Sequence, residues 1–534
     1  MGPARVGGTV GHAPIGVGAV STARVPPSVA AVLEPVVATD PGRELLVTRS
    51  GRFSYGDIDR HANRGAHALA RLGVAPGDRV AASLPNDVDI VVAFHAAMRG
   101  GAVWAGVNRA LAPPEKQYIL DDSEVSVVVC EEGVAREVRA PRVVTVDEWR
   151  ALLDAAEESP VGRDVDPFAP AGIAYTSGTT GFPKGVVHSQ YNLLLPGAAV
   201  VASRGWGPAL RKGDCFPLTI LNLQVLTTLL VAQAGGCSIV MDRIDAEGVA
   251  EWVRTERVTV WNGPPALLYS LAAMGSVAPG DLQSLEEVWT GGGDCPEAIR
   301  AAFAAKFGTP VTSTYGLTEA PTLVTIDGPR GPHVDGASGR PLPHLRLRIV
   351  DDADHDVAPG ETGEICIEAE PSGPWAGAYR MMLGYRGRPD ATAETLRNGM
   401  LHTGDVGFVD ADGFLHVRDR KNLLIIRGGA NVYPAEVERV LQDLDGVECG
   451  VVFGVPDERL GERVAAAVQL RAGAHLTAED LRVHCAANLA KYKVPEHFAF
   501  VDGFPRNAMG KVQRRQLAAE LDLGPPAPSP KPRP

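Results

Sequence analysis

Apolar residues recur at helical and strand spacings that alternate along the first half of the chain. Between residues 54 and 73 the apolar positions keep a helical period, which Gly73 closes: Ala62, Ala66, Leu69, Ala70 and Leu72. A second helix is predicted at 88–99. Short apolar runs predict strands at 79–84, 103–107, 126–130, 237–241, 258–261 and 287–290. Strands that alternate with helices indicate parallel sheets with crossover helices, so we predict an α/β fold.

The pattern changes after residue 345. Shorter strands predicted at 345–350, 363–367 and 414–417 indicate a small antiparallel, barrel-like unit. Beyond residue 420, a helix, two strands and a further helix (437–444, 447–455, 464–470 and 478–488) indicate an α+β module of about 110 residues, which is large enough to be a domain.

A chain of 534 residues is too long for one hydrophobic core. We therefore predict a large N-terminal domain at 26–420, a hinge at 421–422 and a small C-terminal domain at 423–523; one continuous fold is the alternative. Residues 1–25 are rich in Gly, Ala, Val and Pro, and the tail at 524–534 is rich in proline, so both ends are predicted to be disordered.

Composition limits the classes of function. Hydrophobic residues make up 45% and charged residues 22%, as in ordinary soluble proteins, and the net charge of −13 argues against a nucleic-acid or anionic-membrane binder. The seven cysteines form no CxxC pair, which favours a reduced, cytoplasmic protein over a disulfide framework or zinc site. The apolar stretch at 218–236 is interrupted by Asn222, Gln224 and Gln233, so we expect a buried helix and no membrane span.

Residues 175–185, YTSGTTGFPKG, form a glycine-rich loop that follows a short apolar run at 171–175, so the loop is predicted to lie at the end of a strand. Gly178, Gly181 and Gly185 leave the backbone free to fold tightly around an anion. Hydroxyl groups and one ammonium group accompany them, from Thr176, Ser177, Thr179, Thr180 and Lys184, and such groups suit a polyphosphate. The loop is not a Walker A motif, because Lys184 is followed by Gly185. A flexible polar linker is the alternative, although Pro183-Lys184-Gly185 leads back into apolar residues.

Further motifs follow in order along the chain. They are YGLTE at 315–319, HTGD at 402–405, DRK at 419–421 with RGGANVYPAEVE at 427–438, and PRNAMGK at 505–511. Together with the loop they resemble the motifs of the adenylate-forming enzymes: acyl-CoA synthetases, adenylation domains of peptide synthetases, and luciferases. The resemblance runs from Ser54 to Leu517. It implies a large domain followed by a small mobile one, with ATP and CoA as co-substrates and Mg²⁺ as cofactor.

Activation of a carboxylate by ATP brings two anions together, so positive charge between them stabilises the transition state. The resemblance implies that Lys511 supplies this charge; a surface lysine is the alternative. It also implies that Thr318 and Glu319 are catalytic. Thr318 would hydrogen-bond the phosphate and Glu319 would bind Mg²⁺. The alternative for Glu319 is a residue at the start of a helix.

The implied nucleotide site extends to other motifs. Tyr315 offers a flat face for adenine, Asp405 would accept the ribose hydroxyls, and Arg420 would reach ribose or phosphate. A turn aspartate is the alternative for Asp405. The remaining members of the implied ATP/AMP site are Thr176, Ser177, Gly178, Thr179, Thr180, Lys184, Gly292, Gly293, Asp294, Gly316, Thr318 and Lys511. Asp294 stands where the family usually has proline.

The implied acyl pocket is apolar. Its predicted walls are Ile220, Leu221, Trp261, Asn262, Pro264, Gly291, Gly292, Leu317 and Leu323, and packing in the core is the alternative for each of them. The family usually has an aromatic residue or histidine near Ile220, and it usually has a histidine at the position of Gln190, although here His188 lies two residues earlier. The pocket is therefore expected to be roomier and more apolar. No acidic residue stands out as a partner for an amino group, which argues against an amino-acid substrate.

The second half-reaction is implied to need rotation of the small domain about the hinge, which brings the CoA-site residues Gly428 and Gly429 to the active site. The hinge residue would be Asn422, and Leu423 replaces the acidic residue that is usual beside it. A hinge needs only tolerant backbone dihedral angles, which Asn422 satisfies.

The leading hypothesis is an ATP-dependent acid–CoA ligase for a lipophilic acid: fatty, aromatic or terpenoid. The alternatives are an enzyme that carries out only one half-reaction and a non-catalytic acyl-adenylate binder. The expected partners are a small carboxylic acid, ATP and CoA, without nucleic acid or a membrane span; a homodimer is compatible with the sequence.

Overall fold

The chain forms two compact units in the computed structural model. The structure describes residues 26–162, 164–176, 183–291, 295, 297–328, 334–420, 423, 425–427, 430–457, 461–489, 491–506 and 512–521. The first unit holds the described residues up to Arg348 together with Cys366–His402 and Asp412–Leu415. The second holds Ile349–Ile365, Thr403–Ala411 and the described residues from His416 onward. The border between the two compact units falls inside strands such as Gly363–Ala369. The domain boundaries predicted near residue 420 stay predictions.

The first unit contains a nine-stranded sheet. Its strands, in spatial order, are Arg340–Pro341, Ala320–Ile326, Val311–Leu317, Glu287–Gly291, Val260–Asn262, Arg211–Asp214, Cys237–Val240, Glu44–Thr48 and Gly51–Ser54. The six strands from Val311–Leu317 to Glu44–Thr48 pair in parallel, and the outer ones pair antiparallel. The predicted parallel sheet is therefore confirmed, with antiparallel strands at its edges.

A seven-stranded sheet forms the other half of this unit. Its order is Gly384–Tyr385, Lys184–Ser189, Pro170–Thr176, Val103–Gly106, Arg79–Ser83, Val125–Cys130 and Arg142–Thr145. The first three strands pair antiparallel and the others parallel. The glycine-rich loop connects two neighbouring strands of this sheet, Pro170–Thr176 and Lys184–Ser189.

Helices connect these strands. They are Glu34–Val37, Tyr55–Arg71, Val88–Arg99, Pro113–Asp122, Glu132–Ala135, Val146–Asp154, Gln190–Arg204, Ala246–Glu256, Pro265–Ala273, Glu297–Phe307 and Pro389–Thr395, with 3₁₀ turns at Val29–Ala31 and Pro279–Leu282. The helix Tyr55–Arg71 begins at a capping box: Asp57 N–H donates to Ser54 Oγ (3.1 Å), and Ser54 N–H donates to Asp57 Oδ2 (2.9 Å).

The helix Gln190–Arg204 packs against both sheets. Leu193 and Leu194 join the core around Val80 of the seven-stranded sheet, and Val200 joins the core around Trp289 of the nine-stranded sheet. Because this helix follows the strand Lys184–Ser189 directly, its burial fixes the end of that strand within the seven-stranded sheet.

The apolar stretch at 218–236 is helical and buried, as predicted, but it is not continuous. It consists of Leu221–Leu223, a π-helical segment Gln224–Leu229 and Leu230–Ala234. Within the part of the chain that the structure describes, no helix is both long and apolar enough to cross a bilayer.

The predicted antiparallel unit after residue 345 is a four-stranded sheet of Leu345–Val350, Gly363–Ala369, Leu401–Val409 and Leu415–Arg420. The C-terminal module has a five-stranded sheet of Ala430–Val432, Ile425–Arg427, Gly461–Leu470, Val447–Asp457 and His497–Phe500. Its helices are Pro434–Gln442, Ala478–Asn488 and Arg514–Glu520, with a 3₁₀ turn at Lys491–Lys493.

Candidate active site

The glycine-rich loop connects two hydrogen-bonded strands. Thr176 ends one strand and Lys184 begins the next, and the two residues are opposite each other in the antiparallel register. The predicted position of the loop at a strand end is therefore confirmed. Its residues Ser177, Gly178, Thr179 and Thr180 lie outside the described residues.

Both ends of the loop are anchored on the helix Pro113–Asp122. Before the loop, Tyr175 Oη donates to Asp122 Oδ2 (2.9 Å); after it, Tyr118 Oη donates to the Pro183 carbonyl oxygen (3.0 Å). Burial raises the pKa of Tyr175 well above its usual range, so its phenol stays a hydrogen-bond donor. These contacts hold the entry and the exit of the loop in place.

The YGLTE motif forms a strand end and a turn. Tyr315, Gly316 and Leu317 complete the strand Val311–Leu317, and the chain reverses at Thr318 and Glu319 into Ala320–Ile326. The alternative reading of Glu319 as the start of a helix is therefore wrong. A Cβ atom on Gly316 would lie 1.8 Å from the Thr322 carbonyl oxygen, so the close approach of these strands requires glycine.

Glu319 and Lys184 meet at one tyrosine that the sequence did not identify. Tyr385 Oη donates to Glu319 Oε1 at 2.7 Å, and Lys184 Nζ lies 5.0 Å from the centroid of the same ring. A candidate metal ligand and a candidate phosphate ligand, taken from different motifs, are thus brought together at the exit of the glycine-rich loop.

The acidic groups present fit a metal ion that arrives with a polyphosphate. Among the described residues, no cluster of three or more His, Cys, Asp or Glu side chains could enclose a metal by itself. A single carboxylate such as Glu319 instead suits Mg²⁺, which takes phosphate oxygens and water as its other ligands.

Thr318 is held by two residues from other elements. His188 Nε2 donates to the Thr318 carbonyl oxygen (2.7 Å), and Asn222 Nδ2 donates to Thr318 Oγ1 (3.4 Å). His188 is completely buried, which lowers its pKa to about 4 and keeps the ring neutral at physiological pH. A neutral ring that donates through Nε2 fixes the backbone of the turn beside Glu319.

Close packing against Thr314 requires a glycine at the end of the strand Glu287–Gly291. A Cβ atom on Gly291 would lie 2.1 Å from Thr314 Oγ1, and this hydroxyl donates to the Thr290 carbonyl oxygen (3.0 Å). Contact of Gly291 with an acyl group stays a prediction. Gly292, Gly293 and Asp294, which follow it, lie outside the described residues.

The predicted acyl-pocket residues fall into several environments. Trp261 is completely buried in the core beneath the helices Ala246–Glu256 and Pro265–Ala273. Leu221 is buried against Gly172, where an added Cβ would lie 2.7 Å from Leu221 Cδ2. Ile220, Asn262 and Pro264 are only partly buried. Core packing therefore accounts for Trp261 and Leu221, whereas Ile220 and Asn262 keep accessible surface.

Two further predicted wall residues are buried. Leu317 packs with Leu195 and Val324, and Leu323 lines a small pocket together with His344 and Tyr379. Their contact with a substrate stays a prediction.

Gln190 has a structural role. Its Nε2 donates to the Met98 carbonyl oxygen (2.9 Å), and its Oε1 accepts from the Ala30 N–H (3.0 Å). The side chain is buried. Gln190, which stands where the family usually has histidine, therefore joins two helical segments and does not enlarge a pocket.

In the second unit, Asp405 lies within the strand Leu401–Val409 and is buried. Its N–H donates to Thr403 Oγ1 (3.0 Å), and this hydroxyl donates to the Ile365 carbonyl oxygen (2.7 Å). Gly404 has a φ of 70°, which glycine adopts without strain. The alternative of a simple turn aspartate is wrong, because Asp405 is a strand residue.

The other predicted residues of this unit are only partly described. Arg420 ends the strand Leu415–Arg420 and Leu423 is partly buried, whereas Asn422, Gly428, Gly429 and Lys511 lie outside the described residues. Residues next to them pair in the backbone: Arg427 pairs with Ala430, and Arg506 pairs with Val512.

Comparisons with known proteins agree with these motifs. The AMP-binding enzyme family matches residues 33–385, and the AMP-binding enzyme C-terminal domain matches residues 436–511. The fatty acid–[acyl-carrier-protein] ligase ScoC of Streptomyces coeruleorubidus is 34% identical over 500 residues, covering 90% of this chain and 93% of the relative. The feruloyl-CoA synthase of Amycolatopsis sp. is 35% identical over 472 residues, covering 87% and 93%.

Solved structures share the fold. ATP-bound MatB from Rhodopseudomonas palustris has a TM-score of 0.84 and 28% identity, over 92% of this chain and 98% of that one. The o-succinylbenzoate CoA synthetase MenE from Bacillus subtilis, in complex with its acyl-adenylate, has a TM-score of 0.82 and 30% identity, over 91% and 97%. This chain therefore belongs to the AMP-binding enzyme family and is an acyl- or aryl-CoA ligase of the adenylate-forming superfamily.

Proposed function

We propose that the protein activates a lipophilic carboxylic acid (fatty, aromatic or terpenoid) as its acyl-adenylate and then transfers the acyl group to CoA. The observation that carries this proposal is the meeting of Lys184 and Glu319 at the Tyr385 ring, because it joins a phosphate-binding charge to a metal-binding carboxylate. All seven cysteines are described by the structure and none forms a disulfide, which supports a cytoplasmic location.

In the first half-reaction a carboxylate oxygen attacks the α-phosphorus of ATP, and pyrophosphate leaves. Lys184 would contact the departing phosphates, and Glu319 would hold the Mg²⁺ that neutralises charge on their oxygens. Lys511 would lie between the carboxylate and the α-phosphate. Positioning of two bound reactants contributes about 7–11 kcal/mol, more than a single charge-assisted contact of about 1.5–3 kcal/mol.

In the second half-reaction the CoA thiolate attacks the acyl carbonyl carbon, and AMP leaves. We propose that the small domain rotates about residues 421–422, which removes Lys511 and presents Gly428 and Gly429 to the thiol's approach.

The lipophilic character of the acid is supported by the segment around Ile220. A buried carboxylate at the end of the preceding strand, Asp214, has its oxygens occupied: Oδ1 accepts from Phe216 N–H (3.0 Å), and Oδ2 accepts from Thr227 Oγ1 (3.1 Å) and Lys212 Nζ (3.4 Å). Because these donors all belong to the protein, the Asp214 carboxylate is not available to bind a substrate ammonium group.

A screen of carboxylic acids tests the function. Pyrophosphate release is measured with and without CoA, and the thioester is identified by mass spectrometry. Acid-dependent pyrophosphate release with thioester formation is the expected result. Release without thioester would indicate an enzyme of adenylation only or another acceptor, thioester formation only from supplied acyl-AMP would indicate the other half-reaction, and binding without either product would indicate a non-catalytic protein.

We predict that Ile220→Phe lowers kcat/KM for bulky acids about tenfold more than for short ones, because one or two methylenes in an apolar pocket are worth about 1–3 kcal/mol. Ile220 is partly buried and precedes the helix Leu221–Leu223. The same change at Ile244, which is 71% exposed, is the matched control and should alter neither value. An unchanged chain-length preference in Ile220→Phe would remove this residue from the pocket.

A further inference from the structure

Tyr385 occupies a two-residue strand whose register explains its neighbours. In the strand pair, Tyr385 is opposite Val186, and Lys184 lies two residues away on the strand that contains Val186. Residues two apart on a strand share a face, so Lys184 is the diagonal neighbour of Tyr385 and its ammonium reaches the ring. The distance from Lys184 Nζ to the ring centroid is 5.0 Å.

The segment that carries Tyr385 is tightly fixed. Leu383 N–H donates to the Val187 carbonyl oxygen and Arg386 N–H to that of Gly185, both at 2.8 Å. Tyr385 N–H donates to Thr392 Oγ1 (2.9 Å). The ring therefore keeps a defined place at the exit of the glycine-rich loop.

The Tyr385 side chain lies in contact with two opposite charges that do not pair with each other. Its hydroxyl donates to Glu319 Oε1 (2.7 Å) while its ring faces Lys184. Both charged residues are partly buried and described by the structure, and no ion pair of 4.0 Å or less joins them. A direct pair would occupy both the metal-binding carboxylate and the phosphate-binding ammonium, and it would have to break before MgATP could bind.

We propose that Tyr385 is a positioning residue that keeps Glu319 and Lys184 apart and each oriented for its own ligand. The hydroxyl orients the carboxylate for the metal, and the ring holds the ammonium away from that carboxylate. This inference rests on the proposed function for its ligands, MgATP, but it concerns binding and is measured without the acid.

Two substitutions separate the hydroxyl from the ring. Tyr385→Phe keeps the ring, so ATP affinity in EDTA should be unchanged while affinity in Mg²⁺ falls about tenfold, as expected for a lost hydrogen bond to a charged group. Tyr385→Leu removes both, so the ammonium and the carboxylate can pair. Its affinity for ATP in EDTA should also fall, by about threefold to tenfold. Isothermal titration calorimetry measures these affinities directly.

A double variant gives the decisive comparison. If Tyr385 acts as a spacer, Glu319→Gln added to Tyr385→Leu removes the carboxylate that captures Lys184 and should restore part of the ATP affinity in EDTA. If Tyr385 has only a structural role, the double variant should bind ATP as weakly as Tyr385→Leu or more weakly. Removing the Glu319 carboxylate would then restore no affinity.

Tyr191→Phe is the matched control, since its hydroxyl donates to the Ala378 carbonyl oxygen (3.0 Å) and touches neither Glu319 nor Lys184. It should bind ATP like the wild type with and without Mg²⁺. Wild-type affinities in Tyr385→Phe, or no recovery in the double variant, would overturn the proposal. If circular dichroism shows that Tyr385→Leu is unfolded, the Tyr385→Phe titration decides. Failure of the ligase function would appear separately, as a wild type that binds MgATP but releases no pyrophosphate with any acid.

Discussion

Lys511→Ala is expected to abolish acyl-adenylate formation while largely sparing thioester formation from a supplied acyl-adenylate. The ammonium is proposed to lie between two anions in the first step, where removing one preorganised charge costs a factor of about 10²–10³ in rate. In the second step the small domain is proposed to have rotated, so the same group has left the reacting atoms. We expect less than a threefold change there, which corresponds to about 0.6 kcal/mol.

The two half-reactions are measured separately, by pyrophosphate release and by thioester formation from synthetic acyl-AMP. Lys491→Ala is the control, because Lys491 is an exposed lysine of the C-terminal module. Described residues on either side of Lys511 are paired: Arg506 is bridged to Val512, and Gln513 N–H donates to the Pro505 carbonyl oxygen (2.8 Å). Equal losses in both half-reactions would refute the assigned role of Lys511.

Local signals predicted the elements best. The helix at 88–99 was predicted with the bounds that the structure shows, and the helix predicted between 54 and 73 from its apolar period and Gly73 is Tyr55–Arg71. The stretch at 218–236 was predicted as one helix and is interrupted by a π-helical segment. Within that segment Thr227 Oγ1 donates to Asp214 Oδ2 (3.1 Å), a tertiary contact that no short-range pattern contains.

The site was predictable only where motifs are contiguous. The loop and the YGLTE turn were identified from their own residues, but Tyr385 is 66 positions from Glu319 and lies on a strand too short to show a period. His188 was noted only as a neighbour of Gln190, and its bond to Thr318 spans 130 positions. Gln190 shows the converse error, because a departure from a motif was read as a change in the pocket although the side chain binds Met98 and Ala30.

A buried ion pair ties the central helix to the nine-stranded sheet. Arg204, in the last turn of Gln190–Arg204, donates from Nη2 to Glu287 Oε1 (2.8 Å) and from Nε to both carboxylate oxygens (3.2 and 3.3 Å). The two side chains are 1% and 7% exposed. Arg204 Nη2 also donates to the Asp327 carbonyl oxygen (2.6 Å). The pair therefore joins the helix that follows the glycine-rich loop to the strand that ends at Gly291.

Glu287→Ala is expected to destabilise the first unit by about 3–5 kcal/mol, because it leaves the Arg204 guanidinium buried without its counter-charge. The control is Glu132→Ala, which breaks the exposed Arg136–Glu132 pair (3.2 Å, side chains 76% and 65% exposed) and should cost at most about 0.5 kcal/mol. Thermal unfolding of both variants, followed by calorimetry, makes the comparison. Glu287→Gln keeps a hydrogen-bond acceptor but no charge, so its unfolding temperature should lie between those of Glu287→Ala and Glu132→Ala. Equal unfolding temperatures for Glu287→Ala and Glu132→Ala would show that the buried pair does not stabilise this junction.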